Sequence, residues 1–236
     1  MRMLLKLNYL IHDNFFAVLK HFDGLALLGI RLFLAPVMIG AGLTKWHNFE
    51  STVEWFGNEQ WGLGLPFPDI MAGLATGTEL FGGFLLLFGL AVRWAAIPLL
   101  ATMATAAMEV HWDNGWFAIA PSNPTTSSAK LLADVGIPTA KNSLENSVEV
   151  GKRLTEIRSV LQEHSNYEWL TAKGSIAIVN NGIEFAVTYF LMLLVLLFWG
   201  GGRYVGLDYY LDRSARQFLE DSEAPSRDLD DLNVPD

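Results

Sequence analysis

Residues 24–46 read GLALLGIRLFLAPVMIGAGLTKW, a run in which only Arg31 and Lys45 carry a charge. A helix that spans a bilayer needs roughly 20 apolar residues, so this run is long enough. Because unpaired backbone groups are costly in hydrocarbon, such a segment must be helical. The stretch therefore predicts a first transmembrane helix.

Three further segments have the same character, namely residues 68–90, 94–112 and 174–199. The chain of 236 residues is 51% hydrophobic and only 17% charged, whereas soluble domains average about 25% charged residues. We therefore predict an all-α fold, an integral membrane four-helix bundle with an amphipathic N-terminal helix and a partly helical exterior insertion.

The predicted organisation has five parts. Residues 1–23 form a cytoplasmic, interfacial helix, and residues 24–112 hold the first three transmembrane helices. Residues 113–173 form a periplasmic insertion, residues 174–199 the fourth transmembrane helix, and residues 200–236 a cytoplasmic acidic tail.

Within the insertion, a helix is predicted over residues 145–164, because apolar residues recur there at helical spacing. The stripe consists of Val150, Leu154, Ile157 and Leu161. Such a helix packs back onto its own bundle, lies on the membrane, or receives a partner.

Basic residues set the orientation. The loop of residues 47–67 has no Lys or Arg and carries three Glu, so it is expected on the outside. Both termini are then cytoplasmic, on the side that holds Arg2, Lys6, Lys20, Arg93, Arg203, Arg213 and Arg216.

Charge and cysteine content exclude several function classes. The net charge is −9 and most of it comes from the acidic tail, which argues against nucleic-acid binding. The chain has no Cys, which excludes disulfide exchange, thiolate zinc sites, Cys-ligated iron–sulfur clusters and covalent c-type haem. No metal site is predicted; the weak candidates are His47 and His111, with Met103 and Met108 as softer ligands for copper.

Charged side chains inside the spans are expected to face the bundle interior, since each is costly against lipid. Their depths predict that Arg31 bridges Glu79 and Glu184 near mid-membrane. Lys45 and Glu109 are expected nearer the outer surface, in a second group that also contains His47 and His111.

These groups have two interpretations. Both could serve only to fix the register of the helices. Alternatively, three carboxylates against two bases leave one acid unpaired, and burial disfavours its charged form, so that it could exchange protons with a bound redox molecule. The proton-handling candidates are Glu79, Glu109 and Glu184, and the binding candidates are Arg31, Lys45, His111, Trp112 and Asn181.

An ordered set of short motifs resembles the DoxX family of small bacterial inner-membrane proteins. The motifs are Arg31 with Gly40, Gly42 and Lys45; residues 78–83 (TELFGG); Gly89 and Arg93; residues 109–111 (EVH) with Asn114 and Gly115; Glu184; Gly202 and Arg203; and Leu207 and Asp208. The resemblance implies a four-helix bundle in the bacterial inner membrane, and a role as a membrane subunit of a quinone-linked oxidoreductase such as thiosulfate:quinone oxidoreductase. Residues 111–120 (HWDNGWFAIA) also look like the HvfX subgroup, which is associated with the maturation of copper-binding peptides.

Two functions are therefore carried forward. In the first, the chain is a DoxX-like membrane subunit of a redox system that binds quinone and takes electrons from another protein subunit. In the second, it is a non-catalytic membrane partner or maturation factor, for example for a copper-binding peptide, that acts through the periplasmic insertion.

Overall fold

The computed structural model describes residues 2–136 and 138–223. These residues form helices and connecting loops and contain no strand, only one isolated antiparallel bridge between Ile119 and Val179. The predicted all-α class is confirmed. The α-helices are α1 (Arg2–Leu19), α2 (Asp23–His47), α3 (Phe49–Gly57), α4 (Pro68–Phe88), α5 (Val92–Thr105), α6 (Ala129–Asp134), α7 (Pro138–His164), α8 (Tyr167–Thr171), α9 (Glu184–Trp199) and α10 (Leu207–Glu223).

Two helical segments are long and apolar enough to cross a membrane. One is the continuous run Tyr9–His47, which includes α2, and the other is α4. The bounds of α2 and α4 lie within two residues of the predicted spans 24–46 and 68–90. The third predicted span corresponds to α5 together with a π-helical turn at Ala106–Val110.

The fourth predicted span begins ten residues too early. Helix α9 starts at Glu184, and residues 174–183 are not helical. Asn181 adopts a left-handed backbone with φ 57°, a conformation that a right-handed helix does not contain. Glu184 is consequently the first residue of its helix and does not lie ten residues along a longer one.

One compact unit contains the described residues of 1–48, 73–97 and 194–236. Within it, α2 and α4 touch backbone to backbone at two glycines. A Cβ on Gly42 would lie 2.7 Å from the Leu80 amide nitrogen, and one on Gly83 would lie 2.9 Å from the Ile39 amide nitrogen. Small residues permit this close approach, which brings the charged side chains of α2 against α4.

A second unit contains residues 49–72 and the described residues of 98–193. Its long helix α7 begins seven residues before the predicted start. Val150 and Leu154 of the predicted stripe are buried against Ala120 and are flanked by Ile176 and Ile178. This part of the stripe therefore packs on the insertion and on the residues that lead into α9.

The predicted acidic tail is only partly covered. Helix α10 accounts for residues 207–223, and residues 224–236 lie outside the described part of the chain. The five predicted parts of the chain stay predictions as domain boundaries.

Candidate functional site

Arg31 lies fully buried in α2 and uses every N–H of its guanidinium. Nε donates to one main-chain oxygen at 2.8 Å, and each terminal nitrogen donates to two more at 3.0–3.3 Å. An arginine has five such donors, so none is left over. The acceptors are the carbonyls of Leu86, Leu87, Gly201, Tyr204 and Val205.

The predicted bridge from Arg31 to Glu79 and Glu184 is therefore wrong. Carbonyls near helix ends carry partial negative charge and lack intrahelical donors, so they can replace a carboxylate as acceptors. Leu86 and Leu87 lie in the last turn of α4, and Gly201 follows the end of α9. Arg31 thus joins two helix ends to the loop that precedes α10.

Gly89 and Asp208 complete this centre, which we name the Arg31 centre. Gly89 has φ 65°, and a Cβ there would collide with the Arg31 guanidinium. The two Asp208 carboxylate oxygens accept the amides of Ala91 and Val92, at 2.6 and 2.9 Å. Asp208, in the first turn of α10, thereby caps the start of α5.

Lys45 and Glu79 form a second charged centre between the same two helices. Lys45 Nζ lies 2.6 Å from Glu79 Oε2, with 26% of the Lys45 side chain exposed but only 4% of the Glu79 side chain. Lys45 was expected to group with Glu109, His47 and His111; its partner is Glu79. An ionised carboxylate can accept about four hydrogen bonds, and within the described residues Glu79 accepts one, from Lys45.

Thr76 lies one helical turn before Glu79 on the same face of α4. It is 3% exposed, and its hydroxyl has no hydrogen-bond partner in the described structure. Other helical threonines donate to the carbonyl four residues earlier, as Thr44 does to Gly40 and Thr188 to Glu184. Thr76 was not among the site residues predicted from the sequence. Its position three residues before Glu79, on the same helix face, could have indicated it.

The remaining predicted site residues lie around the second unit's loops. The Glu184 carboxylate accepts the Ala118 amide at 2.9 Å, and His111 Nδ1 lies 2.9 Å from the Asn181 carbonyl. Glu109 is exposed within the π-helical turn, and Trp112 is exposed at the start of a 3₁₀ turn. The functional roles assigned to these residues stay predictions.

The two histidines proposed as weak metal candidates each contact a main-chain oxygen. His47 Nδ1 lies 2.8 Å from the Leu43 carbonyl, and His111 contacts Asn181 as described. Across residues 2–136 and 138–223, no three His, Cys, Asp or Glu side chains are grouped so that they could hold a metal ion.

Comparison with known proteins gives a partial match. Residues 26–112 match the DoxX family model, a membrane-associated family, and this match covers fewer than half of the residues. An uncharacterized protein of Haemophilus influenzae is 35% identical over 98 residues, which cover 40% of this chain. The chain spans 62% of the length of that relative. No solved structure matches the chain.

The matched region contains the Lys45–Glu79 pair but only part of the Arg31 centre, because Gly201, Tyr204, Val205 and Asp208 lie beyond residue 112. Arg31 and Gly89 belong to the Arg31 centre, and Lys45 and Glu79 form the other pair. Residues 26–112 are therefore similar to the DoxX family, whereas residues 113–173 lie beyond the match.

Proposed function

We propose that this protein is an integral membrane subunit of a redox system, and that a quinone binds beside Lys45 and Glu79. In this proposal the four apolar helical segments form a four-helix bundle in the bacterial inner membrane, with both termini in the cytoplasm. The supporting observation is a nearly buried carboxylate that meets one lysine and otherwise lacks partners.

The exposed surface of α4 supports the membrane location. Its outward residues are large and apolar, and each is at least 41% exposed. A water-facing helix would carry charges at such positions, whereas a lipid-facing helix carries apolar side chains. These residues are Ile70, Leu74, Phe81, Phe84 and Phe88.

The orientation rests on the basic residues near the Arg31 centre. Arg93 donates to the Phe198 carbonyl, and Arg203 pairs with Asp23, so one exposed and one half-buried arginine lie at this end. The positive-inside rule then places this end of α2, α4 and α9 in the cytoplasm. Lys45 lies toward the opposite end of α2, where it contacts Glu79 of α4.

Quinone chemistry needs the groups that this pair provides. Reduction of a quinone to a quinol takes two electrons and two protons. Lys45 can donate a hydrogen bond to a quinone carbonyl. Glu79 can accept a proton from a quinol when it is ionised, and once protonated it can give that proton to the oxygen of a reduced quinone. The electrons come from a redox centre of a partner protein, and the second proton comes from water.

Ligand binding by the purified protein tests this proposal. The protein in lipid nanodiscs, titrated with a short-chain benzoquinone, is expected to show saturable quenching of tryptophan fluorescence. Lys45→Met is expected to weaken binding about tenfold, because a hydrogen bond from a charged donor is lost. Thr44→Val is the matched control, since Thr44 is the exposed neighbour of Lys45 and bonds only within its helix.

Either of two results would contradict the proposal. One is the absence of saturable quenching for the unsubstituted protein. The other is equal affinity in Lys45→Met and Thr44→Val.

A second candidate function is supported by the insertion. Its helix α7 packs against Ala120 in a small hydrophobic core. Outside that core, Leu131 of α6 and Val135, the residue that follows α6, are each 71% exposed. An exposed apolar patch on a folded segment is typical of a docking surface. The resemblance of residues 111–120 to the HvfX subgroup suggests a maturation factor for a copper-binding peptide.

Leu131→Ser combined with Val135→Ser tests this second function. The double variant is expected to fold normally. In a complementation assay it is expected to abolish maturation of the copper-binding peptide, because the partner can no longer dock on this patch. Normal complementation at normal protein levels would argue against docking at this patch.

A further inference from the structure

Two unsatisfied polar groups share one face of α4, which suggests that a third group belongs between them. Thr76 has a buried hydroxyl without a partner, and the Glu79 carboxylate accepts a bond only from Lys45 within the described chain. Leaving a buried polar atom unpaired costs about 1–3 kcal/mol, so such atoms are normally bonded to protein, water or ligand.

The unpaired state of Thr76 is unusual for a helical threonine. Thr44, Thr102 and Thr188 all donate to the carbonyl four residues earlier, at 2.7–3.0 Å. That bond is the usual way for a threonine to satisfy its hydroxyl in an apolar helix. Thr76 does not make it, and its hydroxyl is therefore available to a partner outside the helix backbone.

We infer that Thr76 and Glu79 together bind the oxygen atom of a hydroxyl group, which donates to Glu79 and accepts from Thr76. This inference rests on the proposed function, in which the hydroxyl is that of a quinol, held where Lys45 neutralises the carboxylate. A bound water has the same hydrogen-bonding chemistry, so the experiment must separate the two sources.

The position explains how such a group could enter. Lys45 is the partly exposed member of the centre, whereas Thr76 and Glu79 are at least nine-tenths buried. Because Lys45 is more exposed than Glu79, we expect a hydroxyl that reaches the carboxylate to pass Lys45 first. Thr76 is then the group that orients the oxygen, and Glu79 is the group that exchanges its proton.

The test uses the full-length protein in nanodiscs under anaerobic conditions, with a short-chain benzoquinol as the probe. Thr76→Val removes the hydroxyl while it keeps the shape of the side chain, and Thr76→Ser restores the hydroxyl. Thr44→Val again serves as the control. Binding is measured by tryptophan quenching, and a bound water by its O–H stretching band in the infrared, which shifts in ¹⁸O-labelled water.

The expected result is a loss of quinol affinity of about three- to tenfold in Thr76→Val, with normal affinity in Thr76→Ser and Thr44→Val. This outcome supports both the inference and the proposed function. If the protein binds no quinol, but Thr76→Val removes an O–H stretching band that shifts in ¹⁸O-labelled water, the hydroxyl belongs to water. The inference then stands and the quinone proposal fails.

The inference is overturned if Thr76→Val changes neither the quinol affinity nor the ¹⁸O-sensitive O–H stretching band. Quinol binding that depends on Lys45 would in that case still support the proposed function. If Thr76→Val and Thr44→Val give equal yields of folded protein, a difference between their quinol affinities reflects binding and not misfolding.

Discussion

Arg31 and Lys45 are both cations of α2 that point toward α4, yet their surroundings differ in one respect. They lie 14 residues apart, about 21 Å along the helix axis. Every donor of Arg31 meets a main-chain carbonyl, whereas the partner of Lys45 is a carboxylate with unused acceptor positions. The saturated centre is typical of a structural role, and the unsaturated centre is typical of a binding site.

The largest effect is expected from Arg31→Met, which removes the Arg31 donors from five carbonyls, of which only that of Leu86 keeps another bond within the described chain, from the Gly89 amide. Three of these carbonyls come from residues 201–205, so the loop before α10 should detach. We expect a loss of about 4 kcal/mol or more in the free energy of unfolding. Unfolding in mixed detergent, followed by circular dichroism, measures it, and unchanged stability would show that the carbonyls bond elsewhere.

Gly89→Ala is expected to have the next largest effect. It places a Cβ against the guanidinium and at a left-handed φ, which costs about 3 kcal/mol. Gly73→Ala is the control, because Gly73 lies within α4 and has no neighbouring atom within 4 Å of its Cβ position. If the two variants lost equal stability in the same assay, the close approach of Arg31 would not explain Gly89.

The Lys45–Glu79 pair is best tested by a double-mutant cycle. Lys45→Met alone leaves a buried carboxylate without its partner and is expected to cost about 2 kcal/mol. Lys45→Met combined with Glu79→Leu should recover most of that loss, because both polar groups are then gone. Additive losses in chemical unfolding would mean that the two side chains do not interact.

Asp208→Asn tests the cap that joins α10 to the start of α5. One amide oxygen replaces two carboxylate oxygens, so Ala91 or Val92 loses its acceptor, at an expected cost of about 1 kcal/mol. Hydrogen exchange should accelerate at residues 91–92 and remain unchanged near Lys45. Faster exchange throughout α4 would indicate a wider role for Asp208.

The smallest effect is expected at the insertion surface. Lys152 lowers the pKa of Glu149 from its ordinary value of 4.5 by a hydrogen bond and by its charge. A lowered pKa stabilises the fold above pH 4.5, and this contribution is lost as the pH falls below it through the lowered value. Because the pair is exposed, Glu149→Gln should change the melting temperature at pH 7 by about 1 °C or less. A larger change would show that exposed pairs also matter here.

Sequence patterns predicted α2 and α4 well, because a long apolar run has few alternatives to a helix. The start of α9 was mispredicted, because residues 174–183 are apolar enough to resemble a span. Their amides instead bond to a distant loop, where Gly182 donates to Phe117 and Asn180 to Ala118. Hydropathy does not report such a pairing.

The charged centres were predicted by residue but not by partner. A count of ionisable side chains finds Arg31, Lys45 and Glu79, but it does not include main-chain carbonyls as acceptors. Arg31 was therefore assigned to carboxylates. The depth estimate failed for Glu184 for a second reason, since it assumed a helix that begins at residue 174.

The long separation between Arg31 and its acceptors has a consequence for biosynthesis. Residues 201–205 follow Arg31 by 170 to 174 positions, so the ribosome completes most of the chain before these carbonyls exist. Until then the guanidinium in a newly synthesised α2 lacks three of the five acceptors that it has in the finished protein. Truncated chains that end before residue 201 would retain this defect, and we expect them to be degraded faster than the full chain.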